Sequence, residues 1–98
     1  MKKKFRITPR AQEDLKNIGR YTLRKWGVKQ RNIYLHHFDN SFELLGYNPK
    51  IGRERADIKS GYYSYLQGQH VIFYTLNKEA IDVIGIPHQQ MDILNYFN

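Results

Sequence analysis

A chain of 98 residues, 41% hydrophobic and 14% aromatic, carries enough apolar surface for one core, so residues 1–98 read as a single domain. Sixteen Lys and Arg against nine Asp and Glu give a net charge of +7, which favours a polyanion or an acidic protein as partner, with a merely solvated basic surface as the plain alternative. The absence of cysteine excludes a disulfide framework, no apolar run approaches a membrane span, and no apolar signal-peptide core follows Met1 to Lys4, so the expectation is a cytoplasmic protein.

In chain order, Phe5-Arg-Ile-Thr8 alternates and suits an edge strand, and Lys2 to Lys4 form a charged lead-in that discourages pairing at that edge. A helix opens next. Thr8 is a good N-cap, Pro9 suits the first helical position, and Glu13 and Asp14 lie close to the positive end of the helix dipole. Ala11, Leu15, Ile18, Thr22 and Trp26 recur at steps of three and four, which predicts one stripe against the core with Lys16, Arg20 and Arg24 turned away. Gly27 closes this helix. A second runs from about Val28 to Tyr47, with Tyr34, Phe38, Ser41, Phe42 and Leu45 on one stripe and Leu35 beside it. A single glycine between them forces an antiparallel helical hairpin, too small to enclose a core alone, whose apolar face must lie on a sheet.

The stretch from Gly46 to Pro49 ends the second helix, Asn48 to Gly52 is turn chemistry, and Arg53 to Lys59 reads as a mobile polar loop with both charge signs. Tyr62 to Leu66 is a strand by aromatic content, and Gln67-Gly68-Gln69 turns it tightly into His70. Between His70 and Ile86, two β-branched and aromatic runs flank Asn77-Lys78-Glu79, the pattern of a β-hairpin with a short loop. The first run has no plainly polar face and belongs mid-sheet; the second stops before Pro87, which has no N–H for the ladder. The order β-α-α-β-β-β predicts an α+β fold, an antiparallel sheet of about four strands with the helical hairpin across one face. The tail carries Ile93, Leu94, Tyr96 and Phe97, which is too apolar for a free terminus, so it should dock on its own sheet or on a partner.

Thr8-Pro-Arg-Ala-Gln-Glu-Asp-Leu15, Tyr21-Thr22 with Trp26-Gly27, Asn48-Pro49 with Ile51-Gly52, Gly61-Tyr62, His70-Val-Ile-Phe-Tyr74 and His88-Gln-Gln-Met-Asp92 together resemble the ParE toxins of the RelE/ParE superfamily. The resemblance runs in the same order over nearly the whole chain. It implies the toxin half of a type II toxin–antitoxin pair, held inactive by a ParD-like antitoxin and acting, when released, as a poison of DNA gyrase. The chain departs from many relatives at Gly85 and Pro87, where an arginine and a leucine precede the histidine.

The residues themselves carry little chemistry. His36 and His37 are adjacent on a helix and point roughly 100° apart, so they cannot clamp one metal, and neither a zinc signature nor a glycine-rich phosphate loop is present; no metal or cofactor is expected. An alternative site for cutting ribosome-bound mRNA, as in RelE-like relatives, can be drawn from Arg53, Arg55, Tyr65 and His88, with cations stabilising phosphorane charge and a general acid or base moving the proton. The lack of a compact acid–base set favours a contact inhibitor over this enzyme. Surface left over once the core is assigned then supplies the target contact: Arg53, Arg55 and Lys59 from the loop, and His88, Gln89, Met91, Asp92, Ile93, Tyr96 and Phe97 from the tail. Arg20 and Arg24 on the first helix and Tyr63, Tyr65 and Tyr74 on the strands are the candidates for antitoxin binding.

Overall fold

The structure is a computed structural model that describes residues 4–98. Strand β1 (Phe5–Ile7) leads into α1 (Pro9–Trp26) and α2 (Val28–Tyr47); β2 (Arg53–Glu54), β3 (Tyr63–Gln67), β4 (His70–Leu76), β5 (Ile81–Gly85) and the short α3 (Ile93–Phe97) follow. Thr8 caps α1 by accepting from the Ala11 N–H at 3.3 Å, and its own hydroxyl donates to the Val83 carbonyl at 2.9 Å, which fastens the helix start to the sheet. Gly27 alone separates the helices. Its N–H closes α1 on the Leu23 carbonyl at 3.0 Å, its carbonyl accepts from Arg31 at 3.0 Å to open α2, and its φ of +93° makes the reversal that a side chain would resist.

The sheet has five strands in the order β1-β5-β4-β3-β2, which places β4 at its centre as expected. Two expectations are corrected. Arg53–Glu54, read as loop, pairs with Ser64 and Tyr63 as a fifth strand; two charged residues are too few to show any period. The sheet is also mixed, because β1 runs parallel to β5, Phe5 beside Ile81 and Ile7 beside Val83. Alternation within a three-residue strand fixes its faces but not its neighbour's direction. Lys2 and Lys3, expected to guard this edge, lie outside the described residues.

The core sits between hairpin and sheet: Ala11, Ile18, Phe38, Phe42 and Leu45 meet Ile72, Tyr74, Ile81, Val83 and Ile86, with Leu15 and Leu35 partly buried at its margin. Trp26 departs from the expected stripe and is 64% exposed. Thr22 is the last buried position of α1, and the final turn carries Trp26 beyond the sheet just before the Gly27 reversal. Along β4 the side chains alternate: Ile72 and Tyr74 enter this core, while Phe73 faces the opposite side of the sheet, covered there by Phe97 at 5.0 Å between ring centroids. A bulge between Phe73 and Tyr74 leaves Ile84 unpaired, since Phe73 opposes Gly85 and Tyr74 opposes Val83. Pairing resumes past Pro87, whose carbonyl accepts from Val71 at 2.9 Å, and this sets His88 opposite His70.

Candidate functional site

Two surfaces carry the polar chemistry, one on each face of the sheet. On the face away from the helical hairpin, Arg53 projects from β2, and Arg55 lies with its guanidinium 5.4 Å from the Phe73 ring centroid, donating to Ser64 Oγ at 3.4 Å and to both carboxylate oxygens of Asp57 at 3.1 Å. The Arg55 hydrogen bonds hold the Asp57 carboxyl below its ordinary range. The stretch read as a mobile loop continues β2 as a bonded turn, with Ile58 and Lys59 donating to the Arg55 carbonyl at 2.9 and 3.1 Å, and leaves Lys59 exposed.

The tail docks beside these residues on its own sheet. Asp92 caps α3, Phe97 packs edge-on against Phe73 and Tyr62, and Tyr96 lies against Gly85 with its hydroxyl donating to Asp14 Oδ2. Asp14 also accepts from the Ile86 N–H at 2.8 Å, and the Arg10 guanidinium lies 3.9 Å from the Tyr96 ring centroid while donating to the Tyr96 carbonyl. Burial first and the Asp14 carboxylate second push the Tyr96 phenol far above its ordinary value. Gly85 thus has a structural reason: a Cβ there would stand 2.5 Å from Tyr96 Oη. Tyr96 and Phe97, expected to contact a target, turn inward because their rings are what fill this face, while Ile93 is half-buried and Gln89, Met91 and Asp92 stay exposed.

His88 belongs to the opposite face. Its ring meets His70 edge-on at 5.3 Å, and its Nδ1 accepts from the Gln90 N–H at 3.1 Å. His70 shares a 2.8 Å hydrogen bond through Nδ1 with Tyr34 Oη, which itself accepts from the Gln69 N–H at 3.1 Å. Burial, more than the neighbouring His88, pulls the His70 pKa down to about 4, so that ring is neutral at ordinary pH. These residues floor an open groove of about 700 Å³ walled by Tyr21, Lys25 and Trp26 of α1 and Gln30 of α2. The sequence reading missed the groove, since its only signal is Tyr21 and Lys25 beside a tryptophan assigned to the core.

The residues drawn for RNA cleavage therefore divide: Arg53 and Arg55 share one face of the sheet with Ser64 and Phe73, while Tyr65 packs toward the helical core and His88 joins the groove. The candidates for antitoxin binding are also apart. Arg20 and Arg24 are exposed on α1, whereas Tyr63 and Tyr65 lie half-buried on β3 under α2. Tyr74 is corrected outright: it is 0% exposed, donates to the Pro49 carbonyl at 2.7 Å and accepts from the Gly52 N–H at 3.1 Å, and burial pushes its phenol up to about 12.

A helical hairpin on a small mixed sheet, with its exposed aromatics and cations spread over two surfaces, defines a small α+β protein. Residues 5–93 match the family model described as the ParE toxin of the type II toxin–antitoxin system parDE. The chain is 35% identical over 94 residues to Toxin ParE1 of Mycobacterium tuberculosis, covering 95% of this chain and 96% of that protein. It is 30% identical over 90 residues to Toxin ParE1 of Caulobacter vibrioides, covering 92% and 93%. In fold it is similar to a chain of a solved chromosomal ParDE toxin–antitoxin system from P. aeruginosa, with a TM-score of 0.75 at 14% identity over 86% of this chain and 92% of that one. The chain belongs to the ParE toxin family of type II toxin–antitoxin systems.

Proposed function

We propose that this ParE toxin binds DNA gyrase in the cytoplasm and stabilises its cleaved complex with DNA, and that a ParD-like antitoxin encoded with it holds it in check. The observation that carries the contact mode over an enzymatic one is the division of the polar residues between the two faces of the sheet. A ribonuclease needs its cations and its proton carrier around one phosphate. Here the guanidinium of Arg55 lies over Phe73, and His88 lies opposite His70, three residues back along β4 and on the other face. A contact inhibitor needs anchors only.

On this reading Arg53, Lys59, Met91 and Asp92 make the target contact, with Tyr96 and Phe97 holding the tail in place beneath them, while Gln89, whose side chain donates to Gln69 Oε1 at 2.7 Å, belongs with the groove. A net charge of +7 suits docking beside gyrase-bound DNA, where each neutralised phosphate adds affinity that falls as salt rises. The test is supercoiling inhibition and cleavage-complex trapping with purified gyrase and plasmid at two salt concentrations. Linear DNA that accumulates with toxin, and less so at higher salt, is the expected result; unchanged supercoiling and no linear DNA at micromolar toxin refutes it.

A further inference from the structure

The net charge is not spread evenly over the chain. Residues 15–38, most of α1 and the first half of α2, hold Lys16, Arg20, Arg24, Lys25, Lys29 and Arg31 and not one carboxylate, whereas the rest of the chain holds ten Lys and Arg against nine Asp and Glu. Six of the seven net charges therefore belong to this stretch. Lys16, Arg20 and Arg24 are exposed and follow one another at steps of four, which sets them about 6 Å apart along α1 in one line turned away from buried Ile18. Gly19 is buried where the helices meet, so closely that a Cβ on it would stand 3.9 Å from Arg31 Cδ, and Arg31 of α2 adds a fourth cation beside the line. Like charges at this spacing weaken a helix. The chain pairs Arg6 with Asp82 and Arg55 with Asp57, yet among the described residues none of these four has a carboxylate partner, although Glu13 lies one turn before Lys16. Arg20 donates to Asn17 Oδ1 and Arg31 to Asn32 Oδ1, both at 3.1 Å, neutral acceptors that leave each guanidinium its charge and spare N–H donors.

We propose that this ridge binds the phosphate backbone of a nucleic-acid double helix, each of the four cations set against one phosphate and no base read. Backbone binding asks for cations and N–H donors and nothing apolar, and the line of Lys16, Asn17, Arg20 and Arg24 supplies them. A single strand is the poorer occupant, because it is held by rings on which its bases stack. The exposed rings of this helix, Tyr21 and Trp26, line the groove instead, and none of the four cations does. An acidic protein segment wants apolar anchors as well, and Leu23, the α1 side chain that borders the ridge, is only 36% exposed. The ridge also lies on the helical side of the molecule, away from the surface proposed to meet gyrase, so the two contacts do not compete.

The test contains no gyrase, so its outcome is separate from that of the gyrase reading. Fluorescence anisotropy follows a labelled 20-base-pair DNA duplex, the same duplex in RNA and the DNA single strand as the full chain is added, between 50 and 200 mM salt. Four neutralised phosphates give a slope of log affinity against log salt of about −3.6, a loss of about 150-fold over that range. Arg20→Gln with Arg24→Gln should bring the slope to about −1.8 and weaken duplex binding at least 10-fold at 50 mM salt, and Lys16→Gln with Arg31→Gln, should the first pair fail to fold, reads the same line. Lys50→Gln with Lys78→Gln removes the same charge from exposed positions elsewhere and should leave the slope unchanged. Binding of either duplex with that pattern supports the ridge, and the tighter of the two names its source. Equal losses in the ridge and control pairs mean that net charge alone binds, and overturn the proposal. So do no duplex binding at about 100 μM protein in 50 mM salt, tighter binding of the single strand, and binding of polyglutamate where the duplexes fail, which assigns the ridge to an acidic protein.

Discussion

Gly85 and Tyr96 are a matched pair, and substituting both separates that pairing from ordinary backbone effects. A methyl at residue 85 meets Tyr96 Oη at 2.5 Å and Cε2 at 2.8 Å, so the ring must leave. Gly85 is not one of the glycines with positive φ, so alanine brings no backbone strain and gains about 0.4–1 kcal/mol by narrowing the unfolded ensemble. Against that gain stand the hydrogen bond to the Asp14 carboxylate, about 1.5–3 kcal/mol, and the Arg10 contact with the ring, about 0.5–1 kcal/mol. The net for Gly85→Ala is a loss of about 1–3 kcal/mol. In the Tyr96→Ala background the obstacle is gone, and the same substitution should stabilise by about 0.4–1 kcal/mol. Urea melts of the four proteins, compared at a common m-value, give the coupling directly. A Gly85→Ala loss equal in both backgrounds, or none in either, refutes the account of how the tail is seated.

Phe38→Ala removes a 0%-exposed ring that touches Tyr34, Phe42 and His70, and should cost about 3–5 kcal/mol in the same melts, whereas Leu15→Ala, at the margin of the core, should cost less, about 1–2.5 kcal/mol. A loss under half a kcal/mol at Leu15 would mean the phase of α1 is wrong. His70 is held near 4 against 6.5 unfolded, so between those values the unfolded chain binds the extra proton and stability falls as pH falls. For a ring this far from fully buried, solvent screening reduces the effect to about 1–2 kcal/mol between pH 7 and pH 4, and His70→Gln should flatten that part of the stability profile. An unchanged slope in the variant would remove His70 from the account.

Most of the fold is written in local patterns. The caps and stripes of the two helices, the Gly27 reversal and the central hairpin each follow from chemistry within a few residues, and each stands where those residues put it. What escaped the pattern depends on distant partners. β2 is a strand only because Ser64 and Tyr63 pair with it, and the direction of β1 is set by β5, some 75 residues away. Asp14 reads as a charge near a helix start, yet its carboxylate serves Ile86 and Tyr96 from the other end of the chain. Trp26 obeys the helical period and still misses the core, because the period records which way a residue points and not how far the sheet extends beneath it.

β4 decides how the two surfaces relate. His70 faces the helices and floors the groove; Phe73, three residues on, faces the other way and carries Phe97 and Arg55. About 10 Å of strand therefore separates the groove from the surface proposed to meet gyrase, and a segment lying in one does not cover the other. On the gyrase proposal, a partner seated in the groove would have to neutralise either through bulk that reaches beyond the groove or through a displacement of β4. A strand packed on both faces resists small displacements. The bulge between Phe73 and Tyr74, however, lies just past Phe73 and is the point where the ladder is already irregular. Bulk requires no such change in the sheet, so a peptide that fills the groove alone would leave the proposed gyrase surface open, and inhibition would need the whole partner.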